Sequence, residues 1–306
     1  MGESTNIAWC HSTFNPWIGC TKVHTGCANC YAEKLATTRL GRRWGAGAHR
    51  QVTSESNWKQ PLRWARAAAK AGERRRVFCA SLADVLDEEA PPKAQARLWQ
   101  LIRETSSYDT RTTLGMARWS LGPGLDWLLL TKRPERWEVI PADVRSLVWL
   151  GTSVSDQATA DEWVPRLLKA EGFAKRFLSV EPLVAPVNLV STGALGCDCR
   201  PIELDDGSVE DRCSGQCAFY RAAWKGQNPL RRLDWVIVGS ESGPRARPME
   251  IAWARSLVDQ CLAADVPIFT KQLATERARQ HGDSKGGDPE HWPPDIWPRQ
   301  FPKGSS

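Results

Sequence analysis

Long apolar runs are missing from this sequence. Nowhere in its 306 residues is there a stretch of the roughly 18–20 apolar residues that a membrane span needs. The first ten residues, MGESTNIAWC, lack the basic-then-apolar profile of a secretory signal. These two absences predict a cytoplasmic chain with no membrane partner. Carboxylates are not clustered either, whereas hydrolysis assisted by a hard cation needs several oxygen ligands at one point. Only scattered candidates such as Asp84, Glu181 and Glu241 are present, which places a nuclease or hydrolase last among the readings. One further absence is local. Cys20, Cys27 and Cys30 fall on one short loop containing Gly26, and no fourth cysteine lies near enough in sequence to close a four-thiolate site.

What is present suits a globular protein with a large core: 42% hydrophobic and 25% charged residues. Ten cysteines in a cytoplasmic chain point to metal ligation or reactivity more than to disulfides. The net charge of +6 is unevenly spread, because residues 34–76 hold twelve Lys or Arg against Glu55 and Glu73. Such a block can meet a phosphate backbone. Its plainer reading is the solvated face of a helix. Sixteen tryptophans are mostly core fillers, with a few free to stack on bases.

Three thiolates on one loop can hold three corners of a [4Fe–4S] cluster and leave the fourth iron open to a small molecule. The rivals are a zinc site completed by His24 or His11, and buried structural cysteines. A second group, Cys197, Cys199, Cys213 and Cys217, forms two close pairs. That is a knuckle arrangement for structural Zn2+, which would supply folding energy to a stretch poor in apolar residues. A second iron–sulfur cluster is its alternative. Cys10, Cys79 and Cys261 read as small buried hydrophobes, with Cys10 also a candidate fourth ligand or relay thiol. No catalytic role falls to His11, His24 or His49.

Six short apolar runs each end in polar residues: Val77–Ala80, Asp126–Leu130, Val148–Gly151, Arg176–Leu178, Asp234–Val238 and Val266–Phe269. Helical patterns at Lys93–Arg103, Ala160–Ala170 and Ile251–Ala263 separate them. With one strand before the cysteine loop, about seven strands are expected. The alternation predicts an α/β fold with a parallel sheet, as a partial or open (β/α) barrel. Ligands bind at the carboxyl ends of such strands. The domain reading is a barrel over 1–191 and 228–281, a Cys-rich metal-binding insertion over 192–227, and an irregular C-terminal tail over 282–306.

Longer motifs carry a family resemblance. They are Thr13-Phe-Asn-Pro16, Gly19-Cys20-Thr-Lys22, Gly26-Cys27 and Cys30-Tyr31-Ala-Glu33, then Leu130–Arg136, Trp149–Val154, Arg176–Leu183, Trp235–Pro244 with Ala246–Pro248, and Lys271-Gln272. In this order they resemble the three-cysteine-motif proteins of bacteriophages and bacteria that look like radical S-adenosylmethionine (SAM) enzymes. The spacing here is Cys-x6-Cys-x2-Cys rather than Cys-x3-Cys-x2-Cys, and the aromatic follows the last cysteine as Tyr31.

The resemblance implies a barrel of radical-SAM type in which Cys20, Cys27 and Cys30 ligate a [4Fe–4S] cluster. SAM would chelate the open iron, and a flavodoxin- or ferredoxin-type donor would supply electrons. It implies a SAM pocket from Ser81, Asp84, Lys132, Ser153, Ser179, Glu181 and Glu241. Substrate contacts would come from Arg133, Arg245, Arg247, Lys271 and Gln272, with the guanidinium forks of Arg245 and Arg247 suited to phosphate or carboxylate. The phage setting of the relatives makes a modified nucleic-acid base the expected substrate, in DNA hypermodification or repair-like chemistry, with the host cytoplasm as location. The alternative is a zinc-dependent nucleic-acid-binding protein without radical chemistry.

Overall fold

Two very short strands, β1 (Ser12–Thr13) and β2 (Trp17–Ile18), precede the cysteine loop, which leads into helix α1 (Tyr31–Thr38). β3 (Gln51–Val52) then pairs antiparallel with β2. The computed structural model describes residues 5, 7–106, 122–190, 202–203, 209–210, 233–242, 245–275, 278, 280–283 and 285–302.

After α2 (Glu55–Trp58) and α3 (Gln60–Ala71), strand and helix alternate. The order is β4 (Arg74–Cys79), α4 (Pro92–Ser106), β5 (Gly124–Thr131), α5 (Ala142–Arg145), β6 (Val148–Val154), α6 (Gln157–Lys169) and β7 (Lys175–Val180). A small antiparallel pair, β8 (Ile202–Glu203) and β9 (Val209–Glu210), lies within the predicted insertion. β10 (Trp235–Gly239), α7 (Ile251–Ala263) and β11 (Ile268–Gln272) complete the pattern. Cys197, Cys199, Cys213 and Cys217 lie outside the described residues.

Seven strands form one sheet in the order β1-β4-β5-β6-β7-β10-β11, with every pairing parallel. It curls into a half-barrel. All six predicted runs overlap strands of this sheet, and β1 is the strand expected before the loop. Each parallel step needs a crossover, and among the described residues α3, α4, α5, α6 and α7 lie on those of every step except β7 to β10.

Period-two alternation sorts the strand residues between two cores. Val77, Leu129, Leu150, Leu178, Val236 and Ile268 face the helices, where they meet Trp64, Leu98, Val164 and Leu257. Their strand neighbours Phe78, Leu128, Trp149, Phe177, Trp235 and Phe269 fill the other face with Trp9 and Phe301. This second cluster is an aromatic floor beneath the carboxyl ends of the strands. At Gly151 an added Cβ would stand 2.4 Å from the Phe177 ring, so the missing side chain is what leaves room for that ring beside β6.

The basic block is only partly a surface feature. Helix α3 buries Pro61, Trp64, Ala65 and Ala68 and exposes Arg63, Arg66 and Lys70, as an amphipathic helix should. Arg74, however, pairs with Asp126 at 2.8 Å, and Arg76 stacks 4.0 Å above the Phe301 ring. Arg50 is buried at 2% exposure. Arg299 bridges antiparallel to Phe269, so the C-terminal tail lines the free edge of β11 and seats Phe301 against the floor.

Candidate functional site

The loop carrying Cys20, Cys27 and Cys30 lies across the carboxyl ends of the strands, and each of its ties can be named. Gly19, at φ +127°, turns the chain immediately before Cys20; a Cβ there would come within 2.9 Å of Arg50 Cδ. Its N–H donates to Leu82 O at 3.1 Å, fixing the loop to the exit of β4. Arg50 donates from Nη2 to Thr21 Oγ1 at 2.7 Å. Thr25 Oγ donates to Asp156 Oδ2 at 2.8 Å, at the cap of α6. Tyr31 Oη donates to Ser81 O at 2.7 Å.

Asn29 directly precedes Cys30. Its Nδ2 donates to Glu241 Oε2 at 3.0 Å and to Arg245 O at 2.9 Å, tying the loop to the exit of β10. Gly26 packs so tightly that a Cβ would lie 2.2 Å from Ser155 Oγ and 2.4 Å from His24 Cε1. His24 Nδ1 accepts from Gly26 N at 2.7 Å, and its ring meets Trp163 edge-on at 4.5 Å. Burial, then Lys132, push its pKa down to about 3, so the ring is neutral. The ring packs between Gly26 and Trp163.

Between loop and strand exits lies a cavity of about 500 Å³, within the usual range for a small-molecule site. All three loop cysteines line it. So do Ser81, Asp84, Lys132, Ser153, Ser179 and Glu181, and across from them Glu241, Lys271 and Gln272. Strand alternation explains the gathering. Lys132 continues the inward row of Leu128 and Leu130, and Glu181 continues that of Phe177 and Ser179. Gly239 leaves room for this row, since a Cβ there would lie 2.6 Å from Glu181 Oε1.

Three predicted substrate contacts lie elsewhere. Arg133 is 4% exposed and turns to the buried side. It donates to Asp84 Oδ2 at 3.1 Å, to Thr21 O at 3.1 Å and to Cys20 Sγ at 3.8 Å. Arg247 grips Glu241 with Nη2 on Oε1 at 2.7 Å and Nε on Oε2 at 3.1 Å, and donates to Thr25 O. The Arg245 side chain is exposed, away from the lining.

The lining residues differ in what they leave open to a ligand. Asp84 accepts from Thr131 Oγ1 at 2.8 Å, Lys132 N at 2.9 Å and Leu86 N at 2.9 Å besides Arg133, so its carboxylate is fully engaged. Glu181 pairs with Lys271 at 2.8 Å and accepts from Ser179 at 3.3 Å. Among the described residues, Lys132 and Lys285 have no ion pair, and both line the cavity. Burial pushes the Cys20 thiol up to about 12; Asp84 raises it further and Arg133 opposes this. Such a thiol is a poor free nucleophile and ionises when a metal coordinates it. Among the described residues no group of three or more His, Cys, Asp or Glu could hold a metal ion. Cys10, by contrast, is buried among the floor aromatics.

Sequence reasoning gave no role to Asn15, Tyr31, Trp44 and Lys285, all of which line the cavity. Asn15 and Tyr31 lie inside the quoted motifs, which is the one signal that pointed to them. Trp44 and Lys285 carry no local signal.

Glu241 also sets a pH dependence. Burial pushes its carboxyl up, but Arg247 and Asn29 pull it down by more, so it titrates below its ordinary 4.5. A depressed carboxylate contributes stability above its unfolded pKa and loses it as pH falls through the folded value. The tie between loop and β10 is therefore complete at neutral pH and weakens in acid. Urea midpoints from about pH 6 to about pH 3 are expected to fall more steeply in the wild type than in Glu241→Gln. Equal slopes would remove Glu241 from the acid response.

A parallel half-barrel with a three-thiol loop over a cavity at its strand exits defines the class as α/β. The chain belongs to the family described as protein of unknown function (DUF5131), whose profile matches residues 4–290. No curated protein and no solved structure matches it.

Proposed function

We propose that this chain is a radical SAM enzyme. The observation that carries the reading is the convergence of Cys20, Cys27 and Cys30 with polar exits of β4, β5, β6, β7, β10 and β11 around one cavity. The donor chemistry fits the cofactors: three thiols from one loop are the set that a [4Fe–4S] cluster with an open iron takes, and here they share one cavity without yet standing at metal-holding distance of one another; the cavity is of a size that suits SAM. When bound, the cluster and SAM supply one-electron cleavage of SAM and hydrogen-atom abstraction from substrate, with electrons from a flavodoxin- or ferredoxin-type donor.

The protein's own residues orient and exclude. The aromatic floor closes the cavity from below against water. Glu181 and Ser179 offer acceptors and a donor for amino and hydroxyl groups, and Lys132 offers a cation for a carboxylate or phosphate. Asp84 and Glu241 act as clasps, holding the strand exits and the loop. Arg133 acts behind Cys20 as a positioning residue. The substrate is a nucleotide or nucleic-acid base, supported by the unpaired cations that face the cavity.

The test is anaerobic reconstitution followed by electron paramagnetic resonance of the reduced protein, with and without SAM. The expected result is a [4Fe–4S]⁺ signal that shifts with SAM and disappears in Cys20→Ala, Cys27→Ala and Cys30→Ala. A colourless, zinc-loaded protein without that signal would overturn the reading in favour of zinc-dependent nucleic-acid binding.

A further inference from the structure

The charge balance of the cavity is one-sided once internal partners are subtracted. Each lining carboxylate has a protein cation on it: Asp84 has Arg133, Glu181 has Lys271 and Glu241 has Arg247. The lining cations Lys132 and Lys285 have no such partner among the described residues. The surplus extends outward along one edge. Trp44 lines the mouth and is half-buried. Immediately before it, Arg42 and Arg43 are exposed, and neither has an ion pair among the described residues. Lys34 and Arg39, on and just after α1, are exposed and equally unpaired. Leu40 adds an exposed apolar side chain, at 41% exposure.

A tryptophan at the mouth of a cation-lined cavity, flanked by unpaired arginines, has the elements of a single-strand platform. Bases stack on the indole and phosphates run along the cations. A mononucleotide would engage the cavity and leave the outer arginines without a role. A duplex hides its base faces from the indole. An acidic peptide would use the cations but not the stacking surface.

We infer that the rim formed by Arg42, Arg43 and Trp44 binds single-stranded nucleic acid and delivers one base to the cavity. This names the substrate class of the site and, in its catalytic sense, rests on the radical SAM reading. The binding itself needs no cluster, so it is measured on the full chain both with and without reconstitution.

The probe is a fluorescein-labelled oligothymidylate single strand, followed by anisotropy across a salt series. Trp44→Ala is expected to weaken binding by roughly 5- to 150-fold, the range for loss of one stacked base. The double variant Arg42→Ala/Arg43→Ala is expected to lower the slope of log affinity against log salt by about 1.4, for two lost phosphate contacts. Arg63→Ala/Arg66→Ala removes equal charge from the outer face of α3 and is expected to bind as the wild type does.

Rim variants that bind unchanged would overturn the inference, and so would an α3 variant that is equally impaired. Polyglutamate competing as well as the oligonucleotide would point to an acidic peptide and overturn it. Duplex competing as well as single strand would overturn the single-strand assignment. The two proposals fail separately. Rim-dependent binding without a SAM-responsive signal sinks the radical reading alone, and a SAM-responsive cluster with inert rim variants sinks this one alone.

Discussion

Replacing Arg50 with alanine is expected to cost about 3–5 kcal/mol of folding free energy, the range for removing one partner of a buried ion pair. Arg50 and Asp87 meet at 2.8 Å with both side chains 1% exposed. The guanidinium also donates to Thr21 Oγ1 at 2.7 Å and to Gly45 O and Ala48 O, each at 2.8 Å. Truncation leaves those acceptors unmet and gives Asp87 only Arg133, at 3.5 Å, as a counter-charge. Arg133 also holds Asp84 and touches Cys20, so the disturbance reaches the cysteine loop. Urea unfolding of wild type and Arg50→Ala measures the loss. The double variant Arg50→Met/Asp87→Leu separates a lost attraction from an abandoned charge. Replacing both members of a buried pair with apolar residues is often close to neutral, so much of the loss is expected to return. A single variant within about 1 kcal/mol of wild type would mean that the network does not hold the loop.

Arg50 also shows where sequence reasoning stops. In the sequence it is one of twelve cations in a basic block, with no mark separating it from Arg42 or Arg43. Its role depends on Asp87, a partner 37 residues away, and no local pattern encodes that pairing. Arg74 and Arg76 were hidden in the same way by Asp126 and Phe301. Strands β4, β5, β6, β7, β10 and β11, by contrast, were legible because each contains a short apolar run closed by polar residues, a signal contained in the run itself. Helix α7 was legible to the residue, at Ile251–Ala263.

The strand exits were legible as a set but not one by one. Lys132 and Arg133 are neighbours, yet one lines the cavity and the other is buried behind Cys20. Period-two alternation from Leu128 and Leu130 separates them, and it is available in the sequence once the inward row is known. Asp84 and Glu181 both line the cavity, but Asp84 is engaged by Thr131, Lys132, Leu86 and Arg133. Which carboxylate remains open to a ligand is settled by long-range partners, which composition and spacing do not reveal.

Trp235→Ala is expected to cost about 3–5 kcal/mol, as for other large-to-small changes at a buried aromatic. Trp235 is fully buried, at 0% exposure, on the inward side of β10. Its ring lies 6.2 Å from Trp9, 6.3 Å from Trp149, 6.0 Å from Phe177, 6.0 Å from Phe269 and 5.5 Å from Phe301. Its Nε1 donates to Gln300 O at 2.8 Å. One side chain therefore joins the middle of the sheet to both the N-terminal and the C-terminal segments. Truncation opens a void that the rigid neighbouring rings close poorly, and it strands a carbonyl acceptor. Trp235→Phe keeps much of the packing and loses the hydrogen bond, so its cost is expected to be clearly smaller. Hydrogen exchange adds a readout of place. The amides of Thr270 and Gln300, which bond across the tail to Pro298 O and Ile268 O, are expected to exchange faster in Trp235→Ala. If both variants cost the same, the hydrogen bond rather than the ring stack would anchor the tail. If neither amide speeds up, the floor and the tail would be independent, and the cavity would owe its closed base to the strands alone.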